Sequence, residues 1–475
     1  MRGRLADIVR RLAPVALWVC VWQVASLVVG SGILLAGPVD TVVRLASLLG
    51  DASFLSTVGF SLVRIVVGFA LGFAGAVALA FAGARWGVVR TIFSPALSVL
   101  KSVPIVCVIV LLLMWVGAGS VSAVAVFLAV FPAVFFSCSE ALDNVDAKTG
   151  EMLEVFGVPR VRRLLAHVWP EVLPYLVGTS RNVCGMAWKA GVAAELIGSP
   201  MGSIGERIYQ SKLLLETADL FAWTIVIVVM SWLCERAFVA VLARTGSWAL
   251  RASLRVGRPR RTVGVGECGA RTDGVRRGEV VLDGVTIGYP GRVVARGVRM
   301  DVTPGERVIC SDASGAGKTT LLRTVAGLQP ALAGTCAVGG AVTMAFQDVR
   351  LIGGMSAVQN LLLVIGSSRD DGARDRAREL LAELLPAETL NVPVDQLSGG
   401  QRRRVELARA IAAPGDVVLL DEPFASLDAA SHEVAARFVT GHLGGRTLIV
   451  ASHEAGDAER LDATAYSLGG TAAEA

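Results

Sequence analysis

The segment from residue 314 to residue 320 carries the residue types that hold phosphate groups. It reads Ser314, Gly315, Ala316, Gly317, Lys318, Thr319 and Thr320. Glycines let backbone N–H groups wrap around phosphate oxygens, and a helix that starts here adds the positive end of its dipole. Lys318 is placed to reach the β- and γ-phosphates of a nucleotide, and Thr319 to bind Mg²⁺. The segment therefore predicts a site for ATP with Mg²⁺.

One position of this phosphate-binding pattern departs from the usual form. The strict motif, G-x-x-x-x-G-K-[ST], requires glycine at position 312, where this chain has Asp312. Asp tolerates unusual backbone angles better than most residues, but its carboxylate adds negative charge near an anionic ligand. The core of the motif is complete, so we expect a working site. The sequence leaves open whether Asp312 weakens ATP binding.

A second feature is a pair of carboxylates at the end of an apolar run. Residues 417–420 read VVLL and are followed by Asp421 and Glu422. If the run is a strand, both carboxylates lie at its C-terminal end. Asp421 then suits a Mg²⁺ ligand, and Glu422 suits a general base that polarises an attacking water. Taken alone, the same pattern also fits a buried strand that ends in an acidic turn.

The third feature is the stretch Leu397, Ser398, Gly399, Gly400 and Gln401. LSGGQ is the signature of the ABC ATPases, and residues 289–453 resemble that family. The resemblance implies that Ser398, Gly399, Gly400 and Gln401 bind ATP held by another subunit. One ATPase domain then cannot complete its own site, and a two-fold homodimer would supply two symmetric sites.

The same resemblance implies roles for other residues, which occur in the order that the family has them. Tyr289 matches the aromatic residue that stacks on adenine, and Gln347 matches the glutamine that serves the metal and the catalytic site. Residues 426–428 match the loop that follows the paired carboxylates, and His453 matches the switch histidine. We therefore expect Glu422, His453 and Gln347 to be catalytic, and Thr319, Gln347 and Asp421 to hold Mg²⁺.

These motifs lie in a half of the chain where apolar strands alternate with helical stretches. The segments 280–288, 305–310, 341–346, 416–422 and 446–452 read as strands, and helices begin near Gly317 and Gly400. This alternation predicts a layered α/β domain, here a P-loop ATPase domain.

The first half of the chain has the composition of a membrane protein. The 475 residues are 53% hydrophobic and only 18% charged, against about 25% charged in soluble proteins. Apolar segments at 14–36, 57–83, 97–117, 120–140, 172–198 and 219–243 are long enough to span a bilayer. The distribution of Lys and Arg among the loops places both ends of this region inside the cell. We expect an all-α permease of about six spans in the plasma membrane, with the ATPase domain in the cytoplasm.

The loop between the fourth and fifth segments has its own pattern. Glu151, Gly157 and Pro170 fall on the register of the EAA loop of binding-protein-dependent importers, although the two Ala positions are Met152 and Leu153. Such a loop docks in a cleft of the ATPase and transmits its closure. More widely, residues 50–240 resemble the nitrate/sulfonate/taurine group of importers, in which permease and ATPase are usually separate chains.

The composition also gives domain boundaries. We expect a permease domain at 1–248 with its EAA-like loop at about 146–170, a basic linker at 249–278, and the ATPase domain at 279–475. The linker suits a tether near anionic lipid head groups, and we expect no nucleic acid partner. Within the fifth apolar segment, Lys189 and Glu195 are candidates for the substrate path, or for polar packing inside the bundle.

These observations favour one function over two others. The resemblance implies a fused permease and ATPase of an importer, which works with an extracytoplasmic solute-binding protein and imports a small solute, either an organic anion or a vitamin-precursor-like molecule. An exporter half-transporter is the first alternative, but exporter membrane domains are longer and lack an EAA-like loop. A nucleotide-sensing module with little turnover is the second, and Glu422, Gln347 and His453 argue against it.

Overall fold

The structure, a computed structural model, describes residues 2–257, 275–313, 315–366, 370–454 and 456–468. The chain divides into two compact units. The first contains Met1–Val145 and Glu171–Thr245, and the second contains Asp146–Pro170 and Gly246–Ala475. The EAA-like loop thus belongs to the second unit, together with the ATPase motifs. The predicted linker lies partly outside the described residues.

The helices are numbered along the chain. They are α1 (Arg2–Val29), α2 (Pro38–Leu49), α3 (Phe54–Arg85), α4 (Gly87–Ser102), α5 (Ile105–Asp143), α6 (Ala147–Val155), α7 (Arg160–Arg163), α8 (Trp169–Gly198), α9 (Ile204–Leu213), α10 (Thr217–Ser253), α11 (Lys318–Val325), α12 (Ala357–Ile365), α13 (Asp371–Ala382), α14 (Gly399–Ala412), α15 (Ala429–His442) and α16 (Asp457–Leu461). A π-helical turn, Leu164–Val168, connects α7 to α8.

Within the described residues, α3, α5 and α10 are long and apolar enough to cross a membrane, and α1 contains a shorter apolar helix, Ala13–Val29. The predicted first span at 14–36 is too long, because α1 ends at Val29 and Gly30 takes a φ of +63°. The predicted third span at 97–117 is wrong as one helix. Val103 is extended before Pro104, which cannot continue the hydrogen bonding of α4.

Two other features of the membrane helices follow from glycine. Gly117, with φ of +70° and ψ of 168°, breaks α5 between the third and fourth predicted spans. Gly68 lies so close to α5 that a β-carbon there would stand 2.3 Å from the carbonyl oxygen of Ala123. Gly72 packs one turn further along, with Phe127 O at 3.1 Å from such an atom. Both glycines therefore permit the close contact between α3 and α5.

The second unit is built on two sheets. Its strands are β1 (Val280–Tyr289), β2 (Arg292–Val302), β3 (Arg307–Cys310), β4 (Ala333–Val338), β5 (Val342–Ala345), β6 (Val417–Asp421), β7 (Thr447–Ala451) and β8 (Thr464–Tyr466). In the described residues, one sheet has the antiparallel order β2-β1-β4, and the other has the parallel order β5-β6-β7-β3-β8. All residues of β6 and β7 are buried, as expected for the centre of a parallel sheet.

The five predicted strands are present as β1, β3, β5, β6 and β7, and helices begin at Lys318 and Gly399, each within one residue of prediction. Three strands were not predicted. β2 is interrupted by four charged residues, β4 has three exposed residues at its start, and β8 has only three residues. These short or half-exposed strands lack the continuous apolar run that marks a buried strand.

Candidate functional site

The phosphate-binding segment forms a loop between β3 and α11. Gly315 and Gly317 have φ angles of +88° and +98°, which residues other than glycine rarely adopt. A β-carbon at Gly317 would lie 2.8 Å from Cγ1 of Val294. Both glycines are therefore required for the shape of the loop. Ala316 lies between them, Thr320 is buried in the first turn of α11, and Ser314 lies outside the described residues.

Lys318 is the first residue of α11 and is buried. Its ammonium group donates hydrogen bonds to the carbonyl oxygens of Asp312 and Ala313. The ammonium charge of Lys318 therefore lies against the phosphate-binding loop, at the N-terminal end of α11. This arrangement suits the phosphates of a nucleotide.

The carboxylate of Asp312 has partners of its own. Ser467 Oγ donates to Oδ1 at 2.8 Å, and the backbone N–H of Leu468 donates to Oδ2 at 2.9 Å. The described non-glycine residues with positive φ do not include Asp312, so this position has no need of glycine. The departure from the strict motif therefore links the start of the loop to the segment after β8.

Thr319 and Asp421 meet below the loop. Thr319 Oγ1 donates to Asp421 Oδ1 at 3.1 Å, and the buried Asp421 Oδ2 has no hydrogen-bond partner among the described residues. Burial, opposed by the Thr319 bond and reinforced by the charge of Glu422, raises the pKa of Asp421 to about 6. A hydroxyl and a carboxylate with a free buried oxygen are hard oxygen donors, and they fit Mg²⁺.

Glu422 and His453 form a pair at the ends of β6 and β7. His453 Nδ1 lies 2.6 Å from Glu422 Oε2. Glu422 has a φ of +46°, in the left-handed region, which costs a residue with a side chain about 1–2 kcal/mol. Strain of this kind is found at functional sites, where the surrounding structure maintains it. The pair lies beside the Asp421 carboxylate. This arrangement suits Glu422 as a general base and His453 as the residue that orients it.

The other residues predicted from the resemblance are at the surface. Tyr289, at the end of β1, is 47% exposed, and Gln347 is exposed just after β5. Ser398 and Gln401 cap the start of α14, since Ser398 Oγ accepts from Gln401 N–H at 3.3 Å and Gln401 Oε1 accepts from Ser398 N–H at 2.9 Å. Ser398 and Gly399 are exposed, and Gly400 follows them in the first turn of α14.

The EAA-like loop is bonded to the ATPase motifs within the second unit. The Glu151 carboxylate accepts hydrogen bonds from Arg323 Nη2 and Arg350 Nη1, both at 2.9 Å. Burial opposes ionisation of Glu151, but the two arginines outweigh it and hold the pKa of this carboxyl below its ordinary value. Lys148 Nζ also contacts Asp348 Oδ2 at 2.6 Å. Gly157, with φ of +61°, makes the turn between α6 and α7.

Arg403 was not recognised from the sequence as a functional residue. It is buried on α14, donates to the carbonyl oxygens of Asp421 at 2.7 Å and Pro423 at 3.1 Å, and also donates to that of Phe346. One guanidinium therefore fixes the backbone on both sides of the paired carboxylates to the segment before Gln347. Its position in a run of three arginines gave no sign that this side chain alone is buried.

Arg162 was also missed. It is fully buried in α7, and its guanidinium donates to the carbonyl oxygens of Ser253, Leu363 and Gly366, each at 2.9 Å. It thereby joins the EAA-like loop to the end of α10 and the end of α12. Burial lowers the pKa of this guanidinium to about 10, so it stays charged at neutral pH.

The two ionisable residues of the fifth apolar segment are not brought together. Glu195 is fully buried in α8, where its Oε2 accepts from Ser61 Oγ at 2.7 Å. Lys189 is exposed on the same helix. Of the two alternatives left open by the sequence, the contacts of Glu195 favour polar packing inside the bundle.

Comparisons with known proteins agree with both halves of the chain. Residues 295–425 match the family described as ABC transporter, and residues 72–243 match the binding-protein-dependent transport system inner membrane component. An aliphatic sulfonates import ATP-binding protein of Pseudomonas fluorescens is 43% identical over 30% of this chain and 55% of its own length. A second, from Rhodococcus jostii, is 36% identical over 38% of this chain and 68% of its own.

One solved structure is similar to the ATPase part of the chain. A dimeric bacterial ABC transporter cassette is 25% identical, with a TM-score of 0.37, and the match covers 40% of this chain and 95% of that one. The chain spans about half to two thirds of the length of the curated relatives named above.

The two units therefore define a nucleotide-binding transporter with its permease and its ATPase in one polypeptide. The chain belongs to the ABC transporter family. It is a multi-pass protein of the plasma membrane, and its ATPase part is cytoplasmic.

Proposed function

We propose that this chain imports a small organic anion, of which aliphatic sulfonates are the first class to test, at the expense of ATP. The named relatives support the anion class, because they are described as aliphatic sulfonates import proteins. The match of residues 72–243 supports import and the need for an extracytoplasmic solute-binding protein. The exporter alternative has no comparable support.

The observation that carries this proposal is the pair of ionic hydrogen bonds at Glu151. Arg323 lies on α11, the helix that begins at Lys318 in the phosphate loop. Arg350 follows Gln347 by three residues. A movement of the phosphate loop or of the Gln347 segment therefore reaches Glu151 through one helix or one short loop. This connection is what a transporter needs and a free-standing ATPase does not.

We assign the chemistry as follows. Lys318 and the loop glycines bind the phosphates, and Thr319, Asp421 and Gln347 hold Mg²⁺, which neutralises phosphate charge when bound. Glu422 accepts the proton of the attacking water, and His453 orients the Glu422 carboxylate at 2.6 Å. Tyr289 offers its exposed ring to adenine.

We propose that the exposed start of α14 binds the nucleotide held by a second copy of the chain. Ser398 and Gly399 point to solvent at the end of a helix whose dipole favours anions. We infer a two-fold homodimer, in which each α14 completes the nucleotide site of the other subunit. We also propose that the permease domain ends near residue 248 and that the ATPase domain begins near residue 279.

The test is ATP hydrolysis by the full chain in lipid nanodiscs, together with uptake of a radiolabelled alkanesulfonate by cells that express it. Glu422→Gln should reduce hydrolysis by about 10²–10⁴-fold and stop uptake, while the exposed control Glu459→Gln should change neither. ATP binding without hydrolysis in the wild type would favour the nucleotide-sensing alternative. Hydrolysis without sulfonate uptake would reject this solute class.

A further inference from the structure

The side chain of His453 has little packing to hold it in place. It is 64% exposed, and it meets Glu422 through the 2.6 Å approach of its Nδ1 to Oε2. An exposed side chain keeps one position only if the backbone that carries it is itself fixed. The residues on both sides of His453 therefore matter for the geometry of the pair.

Those neighbouring residues are joined by one buried carboxylate. Ser452 Oγ donates to Asp457 Oδ2 at 2.6 Å, and it accepts from the backbone N–H of Glu454 at 3.2 Å. The Ser452 N–H donates to the carbonyl oxygen of Cys310, the last residue of β3. Asp457 is almost fully buried, so its charge needs polar partners. The Asp457 carboxylate thus fixes the backbone on both sides of His453.

His432 of α15 also approaches this carboxylate. Its Nε2 lies 2.8 Å from Asp457 Oδ1, and its Nδ1 lies 3.5 Å from Glu454 Oε2. Nε2 has no partner of hydrogen-bond geometry among the described residues, so its approach to Asp457 is electrostatic and not a well-aligned hydrogen bond. Arg460 Nη1 donates to the same oxygen at 3.3 Å. Because a cationic side chain already faces Asp457, the cluster suits an ionic network and not a metal site.

The same histidine packs on the segment that follows Glu422. The His432 ring stacks on Phe424, with 4.4 Å between the ring centroids and 25° between their planes. Phe424 is buried and comes two residues after Glu422. His432 is itself buried, in the first turns of a helix that is capped by Asp428, whose Oδ1 accepts from Ser431 N–H at 2.7 Å. Its own helix therefore fixes its position.

We infer that His432 is a positioning residue for ATP hydrolysis and that it acts through Glu422 and His453. One buried ring joins the segment after β6, where Glu422 lies, to the segment after β7, where His453 lies. It thereby keeps the Glu422 carboxylate and the His453 ring at the separation that hydrolysis needs. The inference rests on the proposed roles of these two residues. Because the contacts of His432 in the described residues do not include the phosphate-binding loop, ATP binding should not depend on it.

The test measures the kinetics of ATP hydrolysis by the full chain in lipid nanodiscs. His432→Phe keeps a ring that stacks on Phe424 and removes both nitrogens. It should lower kcat about tenfold or more and leave the KM for ATP within about threefold, because misplaced catalytic groups slow the chemical step. His442→Phe is the matched control, since His442 is the last residue of the same helix and pairs with Glu383. It should leave kcat near wild type.

A double variant separates positioning from a loss of stability. If His432 acts through His453, His432→Phe should reduce the single-turnover rate much less in a His453→Ala background than in the wild type. A residue that only stabilises the fold would reduce both rates by the same factor, through the fraction of folded protein. Equal factors in the two backgrounds would therefore overturn the inference.

The failure of the proposed base and the failure of this inference give different results. Unchanged hydrolysis in Glu422→Gln would reject the proposed base, and the basis of this inference with it. Loss of hydrolysis in Glu422→Gln, together with an unchanged rate in His432→Phe, would overturn this inference alone. If thermal unfolding shows that His432→Phe does not fold, Asp457→Asn is measured in its place. It removes the charge that faces His432 and keeps an acceptor for Ser452, and the same loss of kcat is expected.

Discussion

Glu151 Oε2 accepts a hydrogen bond from Arg350 Nη1 at 2.9 Å, and this arginine is 93% buried. Arg323 holds the other carboxylate oxygen. Removal of the charge in Glu151→Gln leaves the buried Arg350 guanidinium, among the described residues, with only the more distant Asp348 carboxylate, at 3.9 Å, at a cost of about 1–3 kcal/mol. We expect solute uptake to fall about tenfold or more while ATP hydrolysis is retained. Uptake and hydrolysis should be measured on the same preparation.

The neighbouring variant Glu154→Gln is the control for this prediction, because the Glu154 side chain is 69% exposed and reaches Arg163 only at 3.8 Å. It should leave both activities near wild type. Equal loss of uptake in the two variants would mean that the loop is sensitive to any change of charge. Loss of hydrolysis in Glu151→Gln alone would place Glu151 in the ATPase cycle itself.

The lowered pKa of Glu151 also has a pH consequence. Its folded-state pKa lies below the unfolded value of about 4.3. The stabilisation is therefore fully present above that value and is lost as pH falls through the folded pKa. The wild type should lose unfolding free energy on acidification more steeply than Glu151→Gln, and the two curves should converge at low pH. Parallel curves in thermal unfolding across this range would contradict the assignment.

The raised pKa of Asp421 predicts a pH dependence of Mg²⁺ binding. Its pKa of about 6 means that the free site is protonated below this pH, and Mg²⁺ must displace the proton. We expect the apparent Mg²⁺ affinity, measured with ATP and the full chain, to weaken by up to about tenfold per pH unit below 6. ATP itself titrates nearby, so the same series with Asp421→Asn gives the background. An identical pH dependence in the two proteins would show that Asp421 does not meet the metal.

Asp312→Gly should change the KM for ATP little, within about threefold. The carboxylate that it removes is bound by Ser467 and the Leu468 N–H, and these bonds offset much of its repulsion of phosphates. Ser467→Ala removes one of the two partners and keeps the charge, so it should raise the KM slightly. A KM for ATP that falls tenfold or more in Asp312→Gly would show that the carboxylate repels the nucleotide.

Arg403→Met should destabilise the second unit by about 1–3 kcal/mol, because the buried Glu406 carboxylate loses its partner at 2.9 Å and keeps only Arg409, at 3.6 Å, as an ionic partner among the described residues. It also leaves the carbonyl oxygens of Asp421 and Pro423 without their donor. Thermal unfolding and ATP hydrolysis should fall together. Arg402→Gln, at the exposed neighbouring position, should retain both properties. A stable but inactive Arg403→Met would assign the residue to positioning alone.

The parts of the fold that the sequence predicted are those that depend on neighbours in the chain. Continuous apolar runs identified β6 and β7, and the glycines of the phosphate loop identified a turn that only they can make. Arg403 and Arg162 could not be recognised in this way. Each differs from the arginines beside it only because distant segments supply carbonyl oxygens to it.

The membrane helices show the same limit. Average hydropathy located the apolar segments, but it did not predict the end of α4, where Val103 is extended before Pro104. A single residue with the wrong backbone angle ends a helix regardless of how apolar its surroundings are. The roles of Ser398 and Gly399 involve a second chain, since we assign them to the nucleotide site of another copy.

The position of residues 146–170 inside the second unit has a practical consequence for anyone who would separate the enzyme from its membrane part. Met152, Leu153 and Phe156 are buried in the same hydrophobic core as β6 and β7. A fragment that starts at Gly246 would lack these three side chains and would expose the apolar surface against which they pack. The lost free energy of burial is about 1.5–3 kcal/mol for each large side chain. Such a truncated ATPase should aggregate and lose its folded state quickly. The soluble enzyme can be studied only if the excised loop is supplied again as a peptide or grafted onto its N-terminus.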